Sequence, residues 1–338
     1  MRIAFLLEST CLCGGVKVVL RQAEALSRKG HEAGVVSADG FPHWFDGNID
    51  YINKNPFSPD LADEFDVIIA TTPDLVIHHF RHSGLNKTFH LVQGYEGDYK
   101  ECSQFIDKVE EAYRLPVTKL TVSASLTRRL GRNFPGRYIT IGQGIESEIF
   151  YPVRKQNGFS PPFKVFLVGA LSISIKRLDI GLKAFIFAEK SLPDLSLVRI
   201  SPVDTRREEE EMIGGISEYH VNLRPPQVAE VFRSGPGLLI SPSEPGEGFG
   251  LPALEAMACG VPVVLTRIPS YISFAKPVDY ACFTEPGDVE AMSRAIIDLA
   301  SSQAECQRLA LRGLAVASLF RFEDVAEKME SAFKYAKQ

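Results

Sequence analysis

Residues 243–260 read SEPGEGFGLPALEAMACG, and this stretch predicts a glycine-rich loop that runs directly into a helix. Its three alternate glycines allow backbone conformations that other residues resist. Pro252 suits the first helical turn, where its missing N–H is not needed, and Gly260 suits the end of the helix. Short apolar runs at 237–242 and 261–265 are typical of buried strands, so the predicted unit is strand–loop–helix–strand.

Two carboxylates mark this unit: Glu247 in the loop and Glu255 eight residues later in the helix. The start of a helix offers N–H groups to phosphate, and carboxylates accept hydrogen bonds from hydroxyl groups. In an open parallel sheet such a loop lies at the carboxyl ends of the strands, where ligands bind. The unit therefore predicts a site for a polyhydroxylated, negatively charged ligand. The alternative is that Glu255 only complements the helix dipole, by about 0.3–1 kcal/mol, and that Glu247 is an ordinary loop carboxylate.

This combination of glutamates, glycines and proline resembles the signature of the retaining nucleotide-sugar glycosyltransferases of family 4, the group 1 transferases with the GT-B architecture. The resemblance implies that Glu247 contacts hydroxyls of the donor sugar and that Glu255 accepts from the ribose hydroxyls. It also implies that backbone N–H groups face the sugar and diphosphate around Gly248, Phe249, Gly250 and Leu251.

Two cations follow the first strand of the predicted second domain. The segment at 168–179 resembles the strand–loop of this family that presents an arginine and a lysine to the donor diphosphate. Lys176 matches the lysine, but Ala170 stands at the arginine position, so Arg177 is predicted to supply the missing charge. Fixed positive charge there would stabilise the departing diphosphate. The alternative is that Lys176 and Arg177 only solvate a helix start.

Two segments of the first half are also candidates for ligand contact. Gly14 and Gly15 separate the first strand from the first helix, and paired glycines let the backbone approach a ligand closely. The resemblance places such glycines beside the donor phosphate and the acceptor, although a tight turn uses the same pair. Gln93, Tyr95 and Glu96 end a predicted strand and are candidates for contact with the sugar or acceptor; a purely structural loop is the alternative.

Strand and helix patterns alternate along the chain in two series, which indicates parallel βαβ units. The predicted strands are residues 3–7, 32–37, 65–70, 88–93 and 119–123 in the first series and residues 163–168, 195–200, 237–242 and 261–265 in the second. We predict an α/β protein of two doubly wound, Rossmann-like domains, and the resemblance implies that they face a central cleft. The predicted domains are an acceptor-side domain at 1–152 and a nucleotide-sugar-binding domain at 153–320. The resemblance implies that a last helix at 321–338 crosses back to the first domain. Turn-forming residues at 156–162 predict the linker.

The composition is that of a globular protein, with 338 residues of which 45% are hydrophobic and 23% charged. No apolar run reaches the roughly 18 residues that a membrane-spanning helix needs. Six irregularly spaced cysteines form no disulfide framework, which favours the cytoplasm. Cys11 and Cys13 lack a second ligand pair, so neither a metal site nor a cofactor is predicted.

The net charge of −5 argues against general affinity for nucleic acid. Residues 112–145 nevertheless contain no acidic side chain and carry a run of cations. These are Arg114, Lys119, Arg128, Arg129, Arg132 and Arg137. The run is either a solvated helix face or a surface that docks on anionic lipid or an acidic acceptor, and we predict peripheral contact with the inner membrane face through residues 114–137.

The resemblance thus implies a metal-independent, retaining enzyme of bacterial glycan or polysaccharide synthesis. It would move a hexosyl or deoxyhexosyl group from a nucleotide-diphosphate donor to a hydroxyl of a glycan, lipid-linked or small-molecule acceptor. Two alternatives stay open at this point. One is a phosphorylase or sugar-nucleotide epimerase of the same fold; the other, kept open by Ala170, is a non-catalytic binder of nucleotide sugars.

Overall fold

The structure, a computed structural model, describes three stretches of the chain: residues 1–84, 86–153 and 162–336. The predicted linker at 156–162 therefore lies, except for its last residue, outside the described residues. The chain divides into two compact units, Met1–Gly144 with Phe320–Gln338 (unit 1) and Ile145–Leu319 (unit 2).

The described residues of unit 1 build a seven-stranded sheet in which every neighbouring pair of strands is parallel. Its strands are β1 (Arg2–Leu6), β2 (Glu32–Ser37), β3 (Asp50–Asn53), β4 (Val67–Ala70), β5 (Thr88–Val92), β6 (Thr118–Thr121) and β7 (Tyr138–Thr140). Its helices before unit 2 are α1 (Gly14–Arg28), α2 (Leu61–Glu64), α3 (Pro73–Ser83), α4 (Ile106–Arg114) and α5 (Ala124–Asn133). The strand order β3-β2-β1-β4-β5-β6-β7 reverses between β1 and β4.

The described residues of unit 2 repeat this plan with a six-stranded parallel sheet. Its strands are β8 (Phe163–Val168), β9 (Leu195–Ser201), β10 (Glu218–Val221), β11 (Gly237–Ser241), β12 (Val263–Thr266) and β13 (Cys282–Thr284). Its helices are α6 (Leu178–Glu189), α7 (Arg206–Ile213), α8 (Pro225–Arg233), α9 (Leu251–Ala258), α10 (Val289–Ala300) and α11 (Gln303–Ala317), and α12 (Phe322–Ala336) returns to unit 1. The order β10-β9-β8-β11-β12-β13 reverses between β8 and β11.

The central strands are apolar on both faces because helices cover both sides of each sheet. In β1, Ile3 and Phe5 belong to the core beneath α1, whereas Ala4 and Leu6 belong to the core on the opposite face. Helix α12 joins the first of these cores, where the Phe333 ring lies 5.1 Å from that of Phe89. The prediction of two doubly wound α/β units is confirmed.

None of the described helices has both the length and the apolarity needed to cross a lipid bilayer.

Candidate functional site

The reversal of strand order in unit 2 brings together the loops that follow β8 and β11. These loops carry the two groups of residues singled out in the sequence, the cations and the glutamate of the glycine-rich loop. A backbone hydrogen bond of 2.8 Å from the Glu244 N–H to the Ile175 carbonyl joins them. Such a reversal leaves a crevice at the carboxyl ends of the strands, and ligands of open α/β sheets bind there.

Lys176 and Glu247 form an ion pair across these loops. The Lys176 Nζ lies 2.6 Å from the Glu247 Oε2, and the Glu247 side chain is only 8% exposed. The Ser243 hydroxyl donates a second hydrogen bond of 3.3 Å to the same oxygen. A carboxylate this far out of water needs such donors, and the two hydrogen bonds hold the Glu247 side chain in one orientation.

Tyr271 contacts the serines that precede the glycine-rich loop, and the sequence analysis did not predict this role. It is fully buried, and its hydroxyl lies 2.5 Å from the Ser241 Oγ and 3.2 Å from the Ser243 Oγ. Burial, and then the charge of Glu247, raises the pKa of Tyr271, so the phenol stays neutral. Tyr271 stands 28 residues from Ser243, and no short-range pattern joins the two.

Gly250 is the residue against which Tyr271 packs. Its φ of +95° lies in the left-handed region that favours glycine. A Cβ at this position would stand 2.1 Å from the Tyr271 Cε1, which is closer than atoms can approach. Both the backbone conformation and the close contact therefore require glycine at the N-cap of α9.

Helix α9 and the loop before it hold the other predicted donor residues of unit 2. It begins at Leu251, directly after Gly250, with Pro252 in its first turn. Glu255 is buried one turn further on, and Gly248 and Phe249 are buried in the preceding loop. The Phe249 ring packs 5.3 Å from the ring of Phe274. The predicted loop and helix are thus present, with Glu247 at the loop and Glu255 inside the helix.

Arg177 is held by two carboxylates. It adopts a left-handed conformation at the N-cap of α6, with φ and ψ both 45°. Its guanidinium donates to Asp179 at 3.0 Å and to Glu244 at 2.6 Å, and the hydrogen bond to Asp179 is the main reason that the pKa of Arg177 is raised. Ala170 is buried. The charge of Arg177 is consequently balanced by Asp179 of α6 and by Glu244 of the loop after β11.

A buried ion pair anchors the β8 loop and was also missed in the sequence. Arg199 of β9 and Glu209 of α7 are completely buried, with 2.7 Å between the Arg199 Nη2 and the Glu209 Oε1. Arg199 also donates to the carbonyls of Leu167, at 2.5 Å, and Gly169, at 3.0 Å. Because Gly169 begins the segment that leads to Lys176, this ion pair fixes the position of the backbone from which that segment starts.

In unit 1 the structure brings Gly15 and Gln93 together. The Gln93 Nε2 donates to the Gly15 carbonyl at 3.2 Å, joining the first turn of α1 to the segment after β5. Gly14 is exposed beside Gly15 at the start of α1. These residues lie at the carboxyl edge of the sheet, next to the reversal between β1 and β4.

Tyr95 and Glu96 take part in the internal packing of the loop after β5. Tyr95 is buried, with the Arg129 guanidinium 5.7 Å from its ring centroid. The Glu96 Oε2 accepts from the Tyr113 hydroxyl at 2.9 Å, and burial raises the pKa of Glu96. Their contacts favour a structural role over the predicted sugar or acceptor contact.

The basic interval at 114–137 is only partly a surface. Lys119 is fully buried in β6, where its ammonium donates to the Leu115 carbonyl at 2.7 Å and burial lowers its pKa to about 8. Including Lys119 in a docking surface was therefore wrong, because an interior strand of a parallel sheet has no solvent face. Arg114 pairs with Glu110, and Arg129 pairs with Asp98. The exposed cations that remain are Arg128, Arg132 and Arg137.

Within the described residues, no three His, Cys, Asp or Glu side chains come together in a way that could hold a metal ion. Cys11 and Cys13 are both free thiols and exposed.

Residues 153–314 match the family described as "Glycosyl transferases group 1". The chain is 38% identical to the O-antigen chain mannosyltransferase B of Escherichia coli over 88 residues, which are 26% of this chain and 23% of that protein. It is 27% identical to the D-inositol 3-phosphate glycosyltransferase of Mycobacterium marinum over 248 residues, which are 68% of this chain and 51% of that protein. The chain thus spans about a quarter of the length of the first of these relatives and about half of the length of the second.

Among solved structures, HepE of Anabaena in complex with UDP-glucose is similar over 99% of this chain and all of that one, with a TM-score of 0.79 and 16% sequence identity. At this level of identity the likeness shows a shared fold, the GT-B fold.

Proposed function

We propose that this chain, whose residues 153–314 match the group 1 glycosyltransferase family, transfers a sugar from a nucleotide-diphosphate donor to an acceptor hydroxyl. The observation that carries the proposal is the ion pair of Lys176 and Glu247, held at the sheet reversal of unit 2 beside the N-terminus of α9. It puts a cation, a carboxylate and the positive end of a helix dipole into one small site. Such a set suits a ligand that carries both phosphate and hydroxyl groups.

In this proposal the donor diphosphate lies against the start of α9 and against Lys176. The ammonium and the helix N-terminus stabilise the negative charge that grows on the diphosphate as the bond to the sugar breaks. Arg177 adds positive potential nearby, although Asp179 and Glu244 offset most of it. The departing diphosphate is thus the group whose charge the site is built to accept.

Glu247 and Glu255 orient the two hydroxylated parts of the donor. Glu247 accepts hydrogen bonds from the sugar hydroxyls, and Glu255 accepts from the ribose hydroxyls. Charged acceptors make stronger hydrogen bonds than neutral ones, especially away from water. Fixing the sugar in this way aligns its anomeric carbon with the attacking hydroxyl.

We further propose that transfer retains the anomeric configuration and needs no metal ion. The acceptor oxygen attacks from the face that the diphosphate leaves, and a departing phosphate oxygen takes the acceptor proton. The bond from the anomeric carbon to the phosphate oxygen breaks, and the bond to the acceptor oxygen forms. Lys176 supplies the charge stabilisation that a metal ion gives in other enzymes.

Two observations on other proteins guide the choice of substrates. HepE of Anabaena was crystallised with UDP-glucose, and a relative over part of the chain is an O-antigen mannosyltransferase. We therefore propose a role in bacterial glycan synthesis with a hexosyl or deoxyhexosyl donor, and uridine diphosphate is the first carrier to test.

A donor panel tests the proposal. Uridine, guanosine, adenosine and thymidine diphosphate sugars are screened for thermal stabilisation, since a ligand at about 100 times its Kd stabilises the fold by about 2.7 kcal/mol. The donor that binds is then incubated with acceptors, with and without EDTA, and the anomeric proton of the product is read by NMR. A product with retained configuration, with and without EDTA, supports the proposal. An inverted product contradicts retention, and loss of activity with EDTA contradicts independence from metal ions.

The same assay separates the alternatives. An epimerase converts the donor alone into an isomeric sugar nucleotide, and a phosphorylase needs inorganic phosphate. A non-catalytic binder is stabilised by a donor yet releases no nucleotide with any acceptor. One observation favours the non-catalytic binder: Ala170 stands where the family has an arginine, and the charge of Arg177 is already balanced by Asp179 and Glu244.

Unit 1 offers a basic surface for membrane contact in Arg128, Arg132 and Arg137. All three are exposed, and Arg128 and Arg132 lie one turn apart on the same face of α5. Each cation near an anionic bilayer contributes about 1 kcal/mol of binding free energy. We propose that this surface holds the enzyme at an anionic membrane where lipid-linked acceptors are found.

A further inference from the structure

The segment between β2 and β3, together with Tyr51 at the start of β3, carries an aromatic surface that the proposed donor site does not use. Phe41 is 41% exposed, His43 is exposed and Tyr51 is partly exposed. The Phe41 ring lies 5.7 Å from the Tyr51 ring and 5.4 Å from the His43 ring, with interplanar angles of 83° and 61°. We refer to these three side chains as the aromatic platform.

The platform is fixed by the loop that follows β1. The Trp44 Nε1 donates to the Thr10 carbonyl at 2.8 Å, and the Thr10 hydroxyl donates to the Gly40 carbonyl at 2.9 Å. This loop continues directly to Gly14, so the platform and the paired glycines share the carboxyl edge of one sheet. A preformed aromatic surface loses little conformational entropy when a ligand binds.

The segment that carries the platform is rich in aspartate, although Asp46 pairs with Arg21 at 2.9 Å. Residues 38–53 contain three aspartates and neither lysine nor arginine. Asp39 accepts through its Oδ2 from the Ser9 hydroxyl and the Thr10 N–H, both at 2.8 Å. These hydrogen bonds, that of the Thr10 N–H first, lower the pKa of Asp39, which therefore stays charged. No donor from the described residues reaches the Asp39 Oδ1 by hydrogen bonding, so this oxygen can accept from a ligand.

A sugar ring fits this combination of surfaces. One face of a pyranose presents C–H groups, which carry partial positive charge and are attracted to the electron-rich face of an aromatic ring. Its hydroxyls donate to carboxylates. We propose that the aromatic platform binds a pyranose ring of a saccharide acceptor, with Asp39 accepting from its hydroxyls. That this saccharide is the acceptor of the transfer reaction rests on the proposed function, whereas the binding of a sugar to the platform does not.

Two other occupants fit the platform less well. An anionic membrane surface would be repelled by Asp39, which stays charged, and the exposed cations of α5 suit such a surface better. A second copy of the chain would need roughly 800 Å² of complementary surface on each partner, far more than three partly exposed rings provide. The local charge and size therefore favour a neutral saccharide.

The test compares Phe41→Ala with Phe41→Tyr, which keeps an aromatic ring, and with Phe105→Ala, which removes an exposed phenylalanine elsewhere in unit 1. Saturation-transfer NMR is recorded with methyl hexopyranosides and their disaccharides at millimolar concentration, and with sorbitol as a polyol without a ring. We expect transfer to the C–H protons of a pyranoside in the wild type, in Phe41→Tyr and in Phe105→Ala, and its loss in Phe41→Ala.

The transfer assay supplies the second readout. Phe41→Ala is expected to raise the KM for a saccharide acceptor about fivefold to tenfold, while hydrolysis of the donor by water stays unchanged. Equal NMR signals in the wild type and Phe41→Ala, or no signal with any pyranoside, would overturn the proposal. So would binding to phosphatidylglycerol vesicles or self-association that depends on Phe41. Pyranoside binding without release of nucleotide from any donor would instead refute the proposed function alone.

Discussion

The Lys176 Nζ lies 2.6 Å from the Glu247 Oε2, so two residues that are 71 positions apart in the chain form one ion pair. The pair exists because β8 and β11 are neighbours at the reversal of the sheet, which brings the loops after them together. Without a donor, each side chain satisfies the other. A bound donor would give both of them new partners, the diphosphate for the lysine and the sugar hydroxyls for the glutamate.

Lys176→Ala is predicted to lower turnover at least about tenfold, which corresponds to about 1.4 kcal/mol of lost transition-state stabilisation. The physical reason is the loss of the cation that faces the departing diphosphate. The measurement is kcat with saturating donor, below the melting temperature of each variant. Lys190→Ala, which removes a lysine at the end of α6, serves as the control. Near-normal turnover of Lys176→Ala would remove this residue from the site.

Glu247→Gln and Glu255→Gln are predicted to affect different kinetic constants. Glu247 faces the reacting sugar in our proposal, so its neutral amide should lower kcat about tenfold or more. Glu255 holds the ribose, which does not react, and its amide should chiefly raise the donor KM about tenfold. Steady-state kinetics in donor concentration measure both constants, with Glu230→Gln on α8 as the control. If both variants changed the same constant by the same factor, the assignment of two separate roles would be refuted.

The sequence predicted the centre of each sheet much better than its edges. The strand–loop–helix–strand unit around Glu247 is present as β11, α9 and β12. The four strands that were not predicted are β3, β7, β10 and β13, and each forms an edge of its sheet. Edge strands are short and partly exposed, so they lack the continuous apolar run by which interior parallel strands are identified.

In the candidate site, too, the sequence predicted some residues and not others. Glu247, Glu255 and Lys176 stand in local patterns that a sequence can display. Tyr271 and Arg199 act through tertiary contacts, a hydroxyl against the loop serines and a guanidinium against strand carbonyls. Contacts of this kind depend on the strand order, which a single sequence does not specify.

Arg128→Glu combined with Arg132→Glu is predicted to weaken binding to phosphatidylglycerol vesicles at least about tenfold, because each cation contributes about 1 kcal/mol near an anionic bilayer. Vesicle co-sedimentation measures the change, and added salt should reduce wild-type binding. Arg206→Glu with Arg207→Glu on α7 in unit 2 changes the same charge at exposed arginines and should leave binding largely intact. Equal binding of both double variants would contradict a membrane surface on α5.

His90 is predicted to make the fold sensitive to acid. Its side chain is fully buried in β5, neither ring nitrogen has a hydrogen-bond partner among the described residues, and burial lowers its pKa from 6.5 to about 3. Between these two values the unfolded chain binds a proton that the folded chain does not. Stability therefore rises with pH across this window and is lost as the pH falls through it.

Urea unfolding at pH 7 and pH 5 measures this effect. The wild type should lose about 2 kcal/mol more of its unfolding free energy between these pH values than His90→Asn, which has no ionisable group there. His82→Asn removes an exposed histidine of α3 and should behave as the wild type. Parallel pH dependence of the wild type and His90→Asn would show that His90 is not the acid-sensitive group.

Gly250→Ala is predicted to destabilise the protein more than Gly214→Ala, although both glycines have positive φ, +95° and +87°. At Gly214 nothing lies within 4 Å of the added Cβ, so only the left-handed backbone is penalised, by roughly 1–2 kcal/mol. At Gly250 the Cβ would also meet the Tyr271 Cε1 at 2.1 Å, and the buried tyrosine has no room to withdraw. Either the loop before α9 or Tyr271 must shift, and both carry contacts that hold Glu247.

Unfolding free energies should therefore separate the two variants, and only Gly250→Ala should lose thermal stabilisation by the nucleotide-sugar donor. Equal losses of stability with donor binding retained would mean that the contact between Gly250 and Tyr271 does not shape the donor site.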